Sequence, residues 1–202
     1  MFYDPRIGDH GLPRNPLLAL VGPRPIGWIS TVSPSGIPNI APYSFFNVFS
    51  SAPAIVGFAS TGRKHSMDNA AATGCFVANI VGSSLAEAMN ATSAEVAAGV
   101  DEFALAGLTA TPGTAVAAPR VAEAPAALEC LHIRTMDLTD AAGAPANAFL
   151  VLGEVVGVHI DEAILTDGFV DVTKLQPLGR LGYMEYAVVR DSFTMARPIR
   201  PA

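Results

Sequence analysis

Charge is what this chain has least of. Only 15% of its residues are Asp, Glu, Lys or Arg, and between Arg24 and Glu87 there are just three: Arg63, Lys64 and Asp68. Acidic residues outnumber basic ones by 18 to 12, and the net charge of −6 leaves no general attraction for nucleic acid. So sparse a charge complement fits a chain that hides part of its surface in a partner, and a homodimer or other homo-oligomer is the expectation. The two cysteines, Cys75 and Cys130, lie far apart within apolar strand-like runs, and they read as buried free thiols instead of a disulfide. Long apolar runs are missing too. The longest, 149–160, is broken by Glu154 and His159, and nothing approaches the length needed to span a membrane. Asp4, Arg6 and Asp9 precede a brief apolar patch at 17–20, which lacks the basic start and sustained apolar core of an export signal, so a cytoplasmic location is expected by default.

Whole classes of chemistry are absent as well. The chain has no phosphate loop ending in Gly-Lys-Ser/Thr, no Gly-x-Gly-x-x-Gly after a strand, no His-Glu-x-x-His and no Cys-x-x-Cys. Its four histidines, His10, His65, His132 and His159, are scattered, and no serine sits in a nucleophile elbow. No metal ligand and no catalytic acid, base or nucleophile is therefore assigned. His132 and His159 fall on strand-like runs and read as packed or rim residues.

What is present is β-type patterning. Residues 25–32 read as a strand, Ser33-Pro34-Ser35-Gly36 as a turn and 37–43 as the returning strand. Further β runs are predicted at 54–58, 75–81, 127–137, 149–160 and about 183–189. Helices are inserted between strands instead of alternating with them: one from Ser66 to Ala72, and two short ones opened by the capping-box patterns Ser84-x-x-Glu87 and Thr92-x-x-Glu95. Single turns are expected at 161–165 and 171–175. Because the first two strands share a four-residue turn, a doubly wound parallel sheet is excluded, and a closed or split antiparallel β-barrel with short helical excursions fits best. At 202 residues the chain suits one domain over 1–202, with 1–20 as an N-terminal extension and 115–127 as a poorly ordered Ala/Pro-rich surface connection.

Two clusters carry chemistry. The run Ser60-Thr61-Gly62-Arg63-Lys64-His65-Ser66 lies where a strand hands over to a helix. It fits a solvated surface turn, or an anion site in which helix N–H groups, hydroxyls and the two cations receive a phosphate. The second cluster is Pro42-Tyr43-Ser44-Phe45-Phe46-Asn47-Val48-Phe49-Ser50, aromatics interleaved with small polar residues. It fits a hydrophobic loop or oligomer interface, or a wall for a flat ring whose polar edge meets backbone amides, Ser44 and Asn47. A ring slot and a phosphate cradle in one small barrel point together to a mononucleotide, and flavin mononucleotide (FMN) fits both.

Four segments in order, Arg24-Pro25-Ile26-Gly27-Trp28-Ile29-Ser30-Thr31-Val32-Ser33, Asn39-Ile40-Ala41-Pro42-Tyr43-Ser44-Phe45-Phe46-Asn47, Arg63-Lys64-His65-Ser66-Met67-Asp68-Asn69 and Phe76-Val77-Ala78-Asn79, resemble the flavin reductase-like, FMN-binding split-barrel family. That family includes reductase components of two-component monooxygenases of the nitrilotriacetate type. The resemblance implies an antiparallel Greek-key split barrel, a homodimer with one FMN per subunit, and hydride transfer from NADH or NADPH to the flavin. It also implies a monooxygenase as a partner that receives reduced flavin. By matching motifs, Ser44, Phe45, Phe46 and Asn47 would face the flavin ring, and Ser60, Arg63, Lys64, His65 and Ser66 would surround its phosphate. Many relatives look like Arg-Leu-Gly-Gly where this chain has Arg180-Leu181-Gly182-Tyr183, so Arg180 and Tyr183 would border the substrate side of the ring. A ring at Tyr183 could stack on a substrate, cover the flavin or fill an interface. If it blocks the nicotinamide, the protein is instead an electron carrier or storage protein reduced by a partner.

Overall fold

The computed structural model describes residues 1–97 and 99–198, and strands dominate it. In chain order they are β1 (Arg24–Pro25), β2 (Gly27–Val32), β3 (Pro38–Tyr43), β4 (Phe46–Ser51), β5 (Ala54–Thr61), β6 (Cys75–Ile80), β7 (Ala110–Thr111), β8 (Arg120–Val121), β9 (Ala126–Thr139), β10 (Pro145–Ile160), β11 (Leu165–Thr166), β12 (Phe169–Val170), β13 (Leu178–Arg180) and β14 (Tyr186–Val188). The helices are short: α1 (Leu17–Leu20), α2 (His65–Thr73), α3 (Ala86–Ala91), α4 (Glu102–Leu105) and α5 (Val172–Leu175).

Seven strands make one antiparallel sheet in the order β3-β2-β6-β9-β10-β5-β4. Its two edges, β3 and β4, are consecutive in the chain and are joined only by Ser44 and Phe45. Such a link reaches about 11 Å at most, so the edges must meet and the sheet must roll up. Since β3 and β4 do not pair with each other, the resulting barrel is split along that seam. The Ala59 amide donates to the Phe45 carbonyl (2.8 Å) and holds the seam against β5.

The barrel is filled by Ile29, Tyr43, Phe46, Val56, Phe58, Met67 and Phe76. The Phe58 ring leans on Tyr43 at 4.6 Å and meets Phe76 edge-on at 5.4 Å. Gly27 makes room for this packing, because a Cβ there would lie 2.5 Å from the Phe46 ring. A second cluster, with Trp28, Ile40, Val81, Met89 and Phe103, packs helices onto the sheet. Each of these large side chains contributes roughly 1.5–3 kcal/mol by leaving water. Cys130 pairs with Phe76, the neighbour of Cys75, so the two thiols point to opposite faces of the sheet and both are free and buried. Burial, aided by the Glu129 charge, pushes the Cys130 thiol up to about 12.

Four local expectations need correction. The Thr92-x-x-Glu95 pattern opens no helix: Thr92 closes α3, and its hydroxyl accepts the Trp28 indole N–H (2.8 Å) while donating to the Met89 carbonyl (2.8 Å). With the hydroxyl so engaged, it has no role as an N-cap. Thr92→Val is isosteric and leaves the buried indole N–H unpaired, so it should lower stability by about 1–3 kcal/mol, read as an earlier urea midpoint with Trp28 emission as the probe. Likewise Ser84 caps nothing, and α3 starts at Ala86 with Leu85 at its N-cap.

The 115–127 connection is pinned, not loose. Val116, Ala118 and Val121 are buried, Ser30 donates to the Pro119 carbonyl, and the Val121 amide donates to Asn79 (2.9 Å). The stretch after Phe45 is also no loop: Phe46–Ser51 is edge strand β4, with Phe46 turned into the barrel.

Candidate functional site

Beside the seam lies a cavity of about 720 Å³, within the range of small-molecule sites. Its wall comes from the end of β3, the Ser44-Phe45 link, residues 59–66, residues 92–96 and Glu102 of α4. Of the residues singled out in the sequence, Ser44, Phe45, Ser60, Arg63, Lys64, His65 and Ser66 line it together. Phe46 and Asn47 do not: Phe46 packs in the barrel core, while Asn47 is exposed and its side-chain oxygen accepts the Val48 amide (2.8 Å).

Arg180 and Tyr183 also lie outside the cavity lining. The Arg180 guanidinium sits 4.4 Å over the Tyr186 ring and donates to the Tyr183 carbonyl (2.6 Å). Tyr183 has φ +56, a left-handed backbone where glycine would cost nothing, and its half-exposed ring faces Arg14 at 5.9 Å. Arg24 is buried and spends its guanidinium on the carbonyls of Leu18, Val21 and Leu181, fastening the N-terminal segment to the 180–182 turn.

One end of the cavity is built to receive negative charge. α2 starts here with Lys64 at its N-cap and no side chain capping its amides, which places the positive helix end at the wall. Gly62, at φ +74, bends the chain between β5 and the helix so that Arg63 and Lys64 flank that end. Both cations are exposed; Arg63 is paired closely with Asp68 of α2 at 2.5 Å, and Lys64 more loosely with Glu95 at 3.7 Å.

The hydroxyl groups behave differently from the sequence expectation of a phosphate shell. Ser60 donates to the Gly62 carbonyl (2.9 Å), and Ser66 donates to the Asn39 side-chain oxygen (2.9 Å), so both protons are engaged within the protein. Asn39 is held in that orientation because its amide nitrogen donates to Glu102 Oε2, which also accepts the Ile40 amide (2.7 Å). Glu102 is buried, and burial raises its carboxyl above the usual range despite those two donors.

Tyr43 completes the wall. Its hydroxyl is buried without a hydrogen-bond partner; burial pushes the phenol up, and the nearby Ser66 and Ser60 hydroxyls pull it back only in part, without meeting bonding geometry. Asn39, Tyr43, Glu102 and the 92–96 loop were not singled out from the sequence. Tyr43 lay within the quoted aromatic motif, but nothing near Asp101-Glu102 marks a site, since that carboxylate reaches the cavity only through tertiary packing on β3.

Among the described residues, no group of three or more His, Cys, Asp or Glu is arranged to hold a metal, and no helix is long and apolar enough to cross a membrane.

Residues 22–178 match the family model described as a flavin reductase like domain. An uncharacterized protein of Halalkalibacterium halodurans is 34% identical over 188 residues, 90% of this chain and 89% of its own. Among solved structures, nitrilotriacetate monooxygenase component B from Bacillus cereus superposes with a TM-score of 0.87 at 29% identity, covering 96% of this chain and 98% of that one. The 2-nitrobenzoate 2-nitroreductase of Pseudomonas fluorescens superposes with a TM-score of 0.80 at 29% identity, covering 92% and 91%.

Proposed function

From a chain that belongs to the flavin reductase-like family, we propose an FMN-binding oxidoreductase that accepts hydride from NADH or NADPH. The observation that carries this is one cavity joining the uncapped start of α2, with Arg63 and Lys64, to the aromatic seam at Tyr43-Ser44-Phe45. The phosphate would sit against the α2 amides, Thr61, Arg63, Lys64 and His65, where charge-assisted bonds form. The ring would lie along Ser44 and Phe45. Phe46 and Asn47 would contribute through their position on β4 beyond the seam and not as lining side chains.

When bound, flavin supplies a two-electron acceptor, and the protein's own part is alignment and exclusion of water. No acid or base among the side chains is needed. A homodimer is part of this reading, supported by exposed apolar side chains on paired β9 and β10: Leu131, Ile133, Val156, Val158 and Ile160. A monooxygenase that receives reduced flavin is the partner supported by the Bacillus cereus neighbour.

A second reading, a flavin carrier reduced by another protein, draws on Tyr183, whose ring stands where a residue without a side chain would leave the turn open. Anaerobic mixing separates the two. Protein loaded with FMN should lose its oxidised visible band within seconds of adding NADH or NADPH. Persistence of that band with both donors, followed by bleaching with a reducing partner, would favour the carrier.

A further inference from the structure

The hydrogen-bond polarity of the cavity points beyond the phosphate. Around Gly62, Arg63 and Lys64 the wall offers donors. Around Ser66 and Glu102 it offers acceptors, because the Ser66 proton is given to Asn39, whose oxygen also accepts from Thr31, and the Asn39 amide is given to Glu102. Glu102 Oε2 takes two protein donors, whereas among the described residues no donor reaches Oε1. Oε1 is also not among the buried side-chain atoms left without a partner, so it keeps some accessible surface on a residue that lines the cavity and is 5% exposed overall.

We propose that Glu102 is a ligand-binding residue that receives a hydroxyl of a polyol chain, the ribityl chain if the FMN reading above, on which this rests, is correct. A carboxylate oxygen with one side committed and the other open is matched by a hydroxyl donor, and a sugar-alcohol chain carries several along the path between a phosphate and a flat ring. The Asn39 and Ile40 contacts fix the carboxylate so that little freedom is lost on binding. His65, Asp68 and Glu95 share the wall; none of them hydrogen-bonds Glu102, and His65 stands near enough to offset part of the rise that burial causes in its carboxyl.

Three flavins test this: FMN, riboflavin, which keeps the ribityl chain without phosphate, and lumiflavin, which has neither. In Glu102→Gln, Kd for FMN and for riboflavin should each rise about tenfold, the loss of one charge-assisted hydrogen bond, while Kd for lumiflavin stays at the wild-type value. Glu102→Asp, which retracts the carboxylate but keeps its charge, should show the same selectivity. A rise shared equally by lumiflavin would overturn the proposal and make Glu102 a scaffold residue, as would unchanged riboflavin binding. Failure of wild type to bind any flavin would instead overturn the FMN reading, and the ribityl assignment with it.

Discussion

Replacing Arg63 and Lys64 together by alanine should weaken FMN binding by about a hundredfold and leave riboflavin binding almost unchanged. The estimate follows from two charge-assisted contacts at roughly tenfold each, the lower part of the range for hydrogen bonds to charged groups because both side chains are substantially exposed. Folding stability should move little. Among the described residues, the ion pairs lost are the exposed ones to Asp68 and Glu95, and such pairs contribute about 0–1 kcal/mol. Fluorescence quenching titrations with the two flavins, beside a urea melt, check all three statements. Equal losses for FMN and riboflavin would show that the phosphate lies elsewhere. FMN affinity of the wild type should also fall with added salt, as the cations are reached by solvent, whereas the Glu102 contact proposed above lies in the buried wall and should be less sensitive.

That prediction was largely legible in the sequence, since Arg63 and Lys64 stand at a strand-to-helix junction in a stretch otherwise almost free of charge, and local spacing is enough to place them. The antiparallel barrel was legible for a similar reason: the 33–36 turn fixes the first hairpin, and the apolar runs at 54–58, 75–81 and 149–160 fall within β5, β6 with its following residue, and β10. Strand β4 was not, because it is an edge strand with only Phe46 fully turned inward, so Asn47, Val48 and Phe49 show none of the alternation of a half-buried strand. The polar half of the cavity was hidden for a deeper reason. Asn39 and Glu102 are 63 residues apart and meet only because α4 packs on β3, and neither residue's neighbours announce the contact. Thr92 was misread by the same logic: its local pattern favours a helix start, but the indole of Trp28, brought there by the sheet, claims the hydroxyl first. Local signals located the cationic end of the cavity, and long-range contacts decided everything that faces it.

The largest effect on stability is expected at a residue remote from the cavity, Glu129. It is fully buried, yet its two oxygens accept the amides of Thr114 (2.7 Å), Ala115 (2.5 Å) and Val116 (3.0 Å) and meet the His159 ring. This is the contact set that turns the Ala/Pro-rich connection into a fixed part of the barrel wall. Gly113 allows the turn to close over it, since a Cβ there would lie 2.5 Å from the Val116 carbonyl. Glu129→Ala strands three amides and a ring nitrogen together and should cost about 3–5 kcal/mol, a large share of the roughly 5–15 kcal/mol that holds a domain together. Burial alone would raise the Glu129 carboxyl, but the Thr114 amide, His159 and the two further amides more than offset it and leave the carboxyl below its usual range. A lowered folded pKa means stability that is present in full above the unfolded value of 4.5 and is lost as pH falls through the lower folded value. Glu102 acts with the opposite sign: its raised folded pKa gives stability that is present below 4.5 and is lost as pH rises through the folded value. Wild-type stability measured from pH 6 down to pH 3 should therefore fall with the Glu129 contribution, partly masked by a gain from Glu102. In Glu129→Gln the acid loss should shrink and the Glu102 gain should stand out; in Glu102→Gln the acid loss should steepen. A pH profile unchanged in Glu129→Gln would mean that the 114–116 segment is held by packing alone, without the carboxylate.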